Sequence, residues 1–267
     1  MRKLVTLTTD FGTRDAYVAQ MKGVLYAQGP VDLEVVDLTH EIAPQQVLEA
    51  ALFVQAAVPR FPQGTIHVVV VDPGVGSARR ALMCEHAGQF LLGPDNGVLS
   101  LALTGAYRAV ALRPERFVSA PLSATFHGRD LFAPAAARLA RGALADQPGD
   151  IVSQVEQIAR PAVEVRRSEL RGQVLHVDRF GNLISNISRD ALAAWLPERE
   201  WGQLRVQVRG SAPLQIVRCY ADAAAGSTIA LFGSSELLEV AVTNGSAATA
   251  LAAKVGAELI VSATSML

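Results

Sequence analysis

The stretch Val68-Val-Val-Val-Asp-Pro-Gly74 determines how the first half of the chain is expected to fold. Its four consecutive valines form a short apolar run of β-branched side chains, which predicts a buried strand. Asp72-Pro73-Gly74 then ends the run, because proline has no N–H for a sheet ladder. Asp72 is therefore expected at the carboxyl end of a strand, the edge at which open α/β sheets bind ligands.

Two polar loops supply a candidate catalytic set. The loop after the valine strand continues to Arg79, and a second segment, Ser123-Ala-Thr-Phe-His-Gly-Arg-Asp130, carries His127 into an alanine-rich helix expected at about 131–141. Taken singly, each residue is better explained by a structural ion pair or a buried hydrogen bond. Together, Asp72, Arg79 and His127 are the combination of charge and proton-transfer groups that an active site uses.

Alternating strands and helices surround these loops. Strands are predicted at 4–7, 33–38 and 65–71, a hairpin at 81–85 and 89–92, and helices at 15–27 and 46–58. This order predicts an α/β fold, with a mostly parallel sheet covered on both faces, in an N-terminal domain at 1–145.

The pattern changes after residue 145. Asp146-Gln-Pro-Gly-Asp150 and Arg160-Pro161 punctuate a polar stretch, which predicts a linker at 146–163. Six short β-type runs follow, and they predict a small antiparallel β-barrel domain at 164–267. These runs lie at 172–178, 183–187, 204–208, 228–232, 237–243 and 258–261.

Composition narrows the classes of function. Of the 267 residues, 50% are hydrophobic and 18% charged, and the net charge is −1, so neither disorder nor binding to nucleic acid or an anionic membrane is expected. The longest apolar runs are too short to span a bilayer. Two distant cysteines, Cys84 and Cys219, favour the cytoplasm. No spacing of His or Cys indicates a metal site, and no cofactor is expected.

Seven motifs in order give the chain a resemblance to the S-adenosyl-L-methionine hydroxide adenosyltransferases, relatives of the fluorinating and chlorinating enzymes. The motifs are Thr8-Thr-Asp-Phe-Gly-Thr-Arg-Asp15, Asp37-Leu-Thr-His40, Val71-Asp-Pro-Gly-Val-Gly76 with Arg79, Gly93-Pro-Asp-Asn-Gly97, Thr125-Phe-His-Gly-Arg-Asp130, Asp178-Arg-Phe-Gly-Asn-Leu-Ile-Ser-Asn186 and Thr243-Asn-Gly-Ser-Ala247. The resemblance implies hydrolysis of S-adenosyl-L-methionine to adenosine and L-methionine.

The resemblance also implies how the substrate is held. Asp10 would bind the ribose hydroxyls, and Asn96, Thr125 and Phe126 would complete the nucleoside site, although Asp10 and Asn96 are also ordinary capping or turn residues. For the amino-acid end, Asp178 suits the ammonium, while Ser235 and N–H groups near Asn244 suit the carboxylate, with Asn182 beside them. The family implies a homotrimer with sites between subunits.

The sequence departs from the halide-using relatives at several positions. Those enzymes carry tyrosines in place of Asp72 and His127 and a serine in place of Gly128. Gln45 stands where relatives often have an aromatic ring against the sugar. Two alternatives to hydrolysis stay open: halide transfer to the same carbon, and a non-catalytic protein that binds S-adenosylmethionine or adenosine.

Overall fold

The computed structural model describes residues 3–117, 121–142 and 149–263. The chain divides into two compact units, Met1–Ile158 and Ala159–Leu267. No helix in the described ranges is long and apolar enough to cross a membrane.

The described residues of the first unit form seven strands and three α-helices. In chain order they are β1 (Lys3–Thr9), α1 (Tyr17–Gln28), β2 (Leu33–Thr39), α2 (Val47–Ala57), β3 (Ile66–Val70), β4 (Ala81–His86), β5 (Gln89–Pro94), β6 (Arg108–Leu112), α3 (Ala133–Ala140) and β7 (Gly149–Val152).

These strands form one mixed sheet in the order β2-β1-β3-β5-β4-β6-β7. The half containing β2, β1, β3 and β5 is parallel, and the half containing β4, β6 and β7 is antiparallel. The predicted α/β class is confirmed, and the antiparallel half arises from the 81–94 hairpin together with β6 and β7, which were not predicted. The parallel half carries the candidate site.

The valine run packs on both faces of the sheet, as its composition predicts. Val68 and Val70 belong to the core beneath α1 and α3, whereas Val69 and Val71 belong to the core beneath α2. All four are at most 3% exposed. Because successive side chains of a strand point to opposite faces, the two cores together fix the strand that leads to Asp72.

Part of the predicted linker belongs to the first unit. Gly149–Val152 is β7, the edge strand beside β6. A Cβ on Gly149 would overlap the carbonyl of Ala111, so glycine permits this close pairing. Beyond β7, the buried Asp95 accepts a hydrogen bond from the N–H of Glu156 at 2.8 Å. Residues 146–148 lie outside the described ranges.

The second unit is an antiparallel barrel with two short helices. Its elements are β8 (Glu164–Val165), β9 (Glu169–Val177), β10 (Leu183–Ser188), α4 (Arg189–Trp195), β11 (Leu204–Val208), β12 (Thr228–Phe232), β13 (Leu237–Val242), α5 (Ala247–Ala250) and β14 (Glu258–Ala263). The sheet order is β11-β14-β9-β10-β13-β12. Leu214 bridges β11 and Ile216 bridges β12, so this segment nearly closes the sheet into the predicted barrel.

Candidate active site

Two carboxylates lie at the same edge of the parallel half-sheet. Asp10 follows β1 and Asp72 lies two residues beyond β3, and these strands are adjacent and parallel, with Thr9 paired to Val70. Because parallel strands present their carboxyl ends at one edge, both acidic residues are placed where an α/β sheet binds its ligand.

Asp72, Arg79 and His127 form one hydrogen-bonded group. Arg79 Nε donates to Asp72 Oδ1 at 2.8 Å, and Arg79 Nη2 donates to Asp72 Oδ2 and lies 2.9 Å from His127 Nδ1. The side chains of Asp72 and Arg79 are only 4% and 9% exposed. The structure thus brings together the three residues that the sequence singled out.

The contact with Arg79 determines the protonation of His127. A guanidinium has no acceptor atom, so Nδ1 of His127 must accept, and the neutral ring then carries its proton on Nε2. Burial and then the positive charge of Arg79 lower the pKa of His127, despite the opposing effects of Asp72 and Asp130. His127 is therefore a neutral imidazole that presents an N–H donor on Nε2.

Close packing joins the two loops that carry this group. Gly76 has φ +79°, and a Cβ there would lie closer than 3.0 Å to the carbonyl oxygen of Ala124. Both the left-handed backbone and the contact require glycine. One turn of π-helix, Gly128–Phe132, follows His127 and precedes α3. π-Helical turns are rare in proteins, and many of those that occur lie at functional sites.

The backbone of Gln45, and not its side chain, holds the carboxylate of Asp10. Asp10 Oδ2 accepts a hydrogen bond from the backbone N–H of Gln45 at 2.8 Å, and Gln45 has φ +66°. The sequence comparison with the relatives concerns the side chain at position 45, whereas the contact with Asp10 is made by the main chain. Nothing in the sequence marks this contact except its place after Pro44.

An aromatic cluster connects the Asp10 loop to the His127 segment. The ring of Phe11 packs edge-on against Phe126, with centroids 5.7 Å apart, and Tyr17 contacts both rings. Phe126 is 7% exposed, and Arg129 stacks on it at 4.9 Å. Phe126 therefore packs within the unit and also keeps Asp10 and His127 on adjoining segments.

Asn96 and Thr125 have local partners. Asn96 Nδ2 donates to the carbonyl of Val71 at 2.9 Å, and its Oδ1 accepts from the N–H of Val98. These bonds hold the backbone immediately before Asp72. Thr125 is exposed and its N–H donates to Ser123 Oγ. A role for either residue in substrate binding stays a prediction.

In the second unit, Asp178 and Asn182 form a compact turn. Asp178 Oδ1 accepts from the N–H groups of Phe180 and Asn182, and its Oδ2 accepts from Asn182 Nδ2 at 2.9 Å. Gly181 has φ +83° and packs directly on Ser246. The predicted Asp178 and Asn244 turns are therefore in contact, through Gly181 and Ser246.

Tyr220 and Glu239 extend this cluster and were not predicted. Asn182 Nδ2 lies 3.3 Å from the Tyr220 hydroxyl, which donates to Glu239 Oε1 at 2.5 Å. Burial raises the pKa of Glu239, and the charge of Asp178 adds to the effect. The available signal was a charged residue inside the apolar strand Leu237-Leu-Glu-Val-Ala-Val242.

Ser235 and Asn244 occupy exposed turns at either end of β13. Asn244 has φ +58°, a conformation in which asparagine is one of the commoner residues. Across the described ranges, no group of three or more His, Cys, Asp and Glu side chains is arranged to hold a metal ion.

The first unit is an α/β domain with a buried Asp–Arg–His group, and the second unit is a β-barrel. This fold and this site together define a two-domain α/β and β-barrel enzyme. The SAM hydroxide adenosyltransferase N-terminal domain matches residues 5–149, and the C-terminal domain of the same family matches residues 172–260. The chain belongs to the SAM hydroxide adenosyltransferase family.

Named relatives and solved structures agree with this assignment. The (R)-S-adenosyl-L-methionine hydrolase of Salinispora arenicola is 40% identical, over 97% of each chain, and that of Thermus thermophilus is 41% identical, over 94% of this chain and 96% of its own. A fluorinase from Actinoplanes is 28% identical, over 71% and 73%. The crystal structure of an uncharacterized conserved protein from Thermotoga maritima superposes with a TM-score of 0.88 at 30% identity, covering 97% of this chain and 99% of that one.

Proposed function

We propose that the protein hydrolyses S-adenosyl-L-methionine to adenosine and L-methionine by attack of water on C5′. The observation that carries this proposal is the hydrogen-bonded Asp72–Arg79–His127 group at the strand edge, in a chain that is about 40% identical to named hydrolases. Three adjoining polar side chains suit the binding of a water molecule.

The chemistry requires little beyond a positioned water molecule. The water oxygen forms a bond to C5′ while the C5′–S bond breaks, and its electron pair returns to sulfur. The leaving group is a neutral thioether, so no general acid is needed. Holding oxygen, C5′ and sulfur in line supplies much of the acceleration that orientation can give.

Asp72 is the proton acceptor in this proposal. Both nitrogens of His127 are committed, because Nδ1 accepts from Arg79 and Nε2 carries the proton. His127 therefore donates to the water oxygen and orients it. Arg79 stays protonated and fixes both partners. The water becomes acidic as its bond to carbon forms, and the Asp72 carboxylate takes the proton at that stage.

Substrate binding follows the division of polar groups between the two units. Asp10 binds the ribose hydroxyls, with Asn96, Thr125 and Phe126 around the nucleoside. Asp178 binds the ammonium, and Asn182, Ser235 and the backbone at Asn244 complete the amino-acid site. Because the names of three relatives at 38–41% identity specify the (R) sulfonium, we propose that this epimer is the preferred substrate.

Halide transfer to the same carbon is the second candidate, supported by fluorinases at 27–28% identity. Packing around Gly128 argues against it. A Cβ at this position would lie 3.1 Å from Met21 Sδ and 3.3 Å from the Phe126 ring, so the serine found in the halide-using enzymes has little room. A non-catalytic binding protein does not require the hydrogen-bonded Asp72–Arg79–His127 group.

The test uses each epimer of S-adenosyl-L-methionine in oxygen-18 water with a chelator present. The expected products are methionine and adenosine labelled at the 5′ oxygen, formed faster from the (R) epimer. Unlabelled adenosine would refute attack by water at C5′. Formation of 5′-chloroadenosine in chloride buffer would favour halide transfer, and saturable binding without products would favour a binding protein.

We further propose a cytoplasmic homotrimer in which neighbouring subunits share each site. The support is the family resemblance together with the placement of the nucleoside residues in one unit and the amino-acid residues in the other. A ring of head-to-tail contacts is the closed assembly expected for such sharing. Asp72→Ala and Asn244→Ala subunits, mixed by unfolding and reassembly, should regain activity above either parent. A monomer by light scattering would contradict the proposal.

A further inference from the structure

The segment Asp37-Leu-Thr-His40 has no part in the site described so far, yet its last residue touches the Asp10 loop twice. His40 is 5% exposed. Its Nδ1 lies 2.9 Å from Thr9 Oγ1, and its carbonyl accepts from the N–H of Gly12 at 2.7 Å. His40 thereby contacts the chain on both sides of Asp10.

The neighbours of His40 favour a neutral ring with its proton on Nε2. Thr9 Oγ1 accepts from the N–H of Phe11 at 3.2 Å and can donate its own proton to Nδ1 of His40. With Nδ1 as the acceptor, the imidazole proton is on Nε2. This nitrogen lies 3.0 Å from Asp37 Oδ1, and the negative charge favours the same tautomer.

A second layer holds the imidazole in place. Lys22 on α1 donates to Asp37 Oδ2 at 2.5 Å. Burial acts to raise the pKa of Asp37, but the hydrogen bond from Lys22 and the nearby imidazole of His40 outweigh it and keep the pKa below its ordinary value. Asp37 therefore stays charged, and a chain of contacts runs from Lys22 through Asp37 and His40 to Thr9.

We infer that His40 is a positioning residue for Asp10: its bonds to Thr9 and Gly12 hold the backbone from which the ribose-binding carboxylate projects. This inference rests on the proposed function only in taking Asp10 as the ribose ligand. His40 does not touch the reacting atoms, so its loss weakens nucleoside binding and leaves the chemical step unchanged.

The two ring contacts can be separated by substitution. The amide oxygen of His40→Asn takes the place of Nδ1 and keeps an acceptor for Thr9, whereas the longer His40→Gln reaches toward Asp37 and loses the bond to Thr9. Since a lost hydrogen bond changes binding by roughly tenfold, His40→Gln should weaken adenosine binding by about that factor. His40→Asn should stay within about threefold of the wild type.

A matched control exists on the neighbouring strand. His67 on β3 is also buried, and its Nδ1 lies 2.8 Å from Thr6 Oγ1 on β1. His67→Gln removes the same kind of contact from the sheet interior, away from Asp10. It should lower the Tm without changing adenosine binding.

The experiment measures the Kd of adenosine by calorimetry, and kcat and KM for S-adenosyl-L-methionine, in the intact protein. Weaker adenosine binding and a raised KM at constant kcat, in His40→Gln but not in His40→Asn, would support the inference. Equal affinities in both variants, or a kcat that falls as KM rises, would overturn it.

A second pair of variants tests the same hydrogen bond if His40→Gln does not fold. Thr9→Val removes the hydroxyl at constant shape and should weaken adenosine binding as His40→Gln does, while Thr9→Ser keeps it. Unchanged binding in Thr9→Val would equally refute the inference. Adenosine binding can be measured without turnover, so the two proposals fail separately. If the wild type binds adenosine but releases no methionine, the proposed function is wrong. The role of His40 is then still tested by the adenosine affinities of these variants.

Discussion

Arg79 Nη2 lies 2.9 Å from Nδ1 of His127, and the same guanidinium grips both oxygens of Asp72. One cation thus fixes the position of the carboxylate and the tautomer of the imidazole. The same group of side chains therefore offers an acceptor on Asp72 and an N–H donor on His127.

Asp72→Asn should lower kcat by at least about tenfold, equivalent to roughly 1.4 kcal/mol or more in the barrier. The amide keeps the shape of the carboxylate but accepts a proton poorly and pairs weakly with Arg79. The control is Asp150→Asn, which removes one partner of the exposed Arg113–Asp150 pair. Steady-state kinetics check both variants, and equal kcat values in Asp72→Asn and wild type would contradict the assignment.

Activity should fall on the acidic side as His127 becomes protonated. Because the pKa of His127 is lowered, kcat/KM should be level near neutral pH and fall only below the ordinary histidine value of about 6.5. Protonation removes the acceptor on Nδ1 and sets a positive ring against Arg79. His127→Gln, which titrates at no pH in this range, should lose this limb of the profile. If the acidic decline in kcat/KM persists in His127→Gln, a different group causes it.

Gly76→Ala should separate the two loops of the site. The new Cβ would meet the Ala124 carbonyl closer than 3.0 Å, at a φ of +79°, so both strain and steric overlap act. Gly105→Ala is the matched control, because Gly105 has φ +76° with nothing within 4 Å. The control should cost about 1 kcal/mol of unfolding free energy. Gly76→Ala should lose more stability than the control and also most of its activity.

Acid should destabilise the first unit through His67. Burial lowers the pKa of His67 from 6.5 to about 4, so the folded state keeps the ring neutral. The contribution of His67 to the free energy of unfolding is fully present above pH 6.5. It declines at lower pH because the unfolded chain takes up a proton, and it is lost at pH values near 4. The loss is about 3 kcal/mol at most.

Urea unfolding of wild type and His67→Gln across this pH range measures the effect. The free energy of unfolding should depend less steeply on pH in the variant, which has no group to protonate at this position. Parallel curves for the two proteins would show that His67 is not the source.

The parts of the fold that depend on local pattern were predictable from the sequence. The valine run and the polar loop after it establish the central strand and the position of Asp72, and Leu204–Val208 and Thr228–Phe232 were predicted to the residue. The strands β6 and β7 were missed because short apolar runs near turns resemble loop sequence. β6 pairs with β4 and β7 pairs with β6, so both strands depend on tertiary contact.

The candidate site shows the same division between local pattern and tertiary contact. Motifs identified Asp72, Arg79 and His127, but the bond from Arg79 to Nδ1 depends on how two loops pack. The bond from the Gln45 main chain to Asp10 depends on a backbone angle, and the contact of Tyr220 with Glu239 joins residues on separate elements. The identities of the residues alone do not predict any of these contacts.

The π-helical turn Gly128–Phe132 has a consequence for how His127 can be aimed. Each residue of an α-helix rotates the next side chain by about 100°, so a π turn, which holds one residue more than an α turn, shifts the angular relation between its two ends. The alanines of α3 can therefore keep their packed face while His127 points elsewhere. Deleting one residue from this turn would restore ordinary helical phase and swing the imidazole away from Arg79, with the helix itself intact.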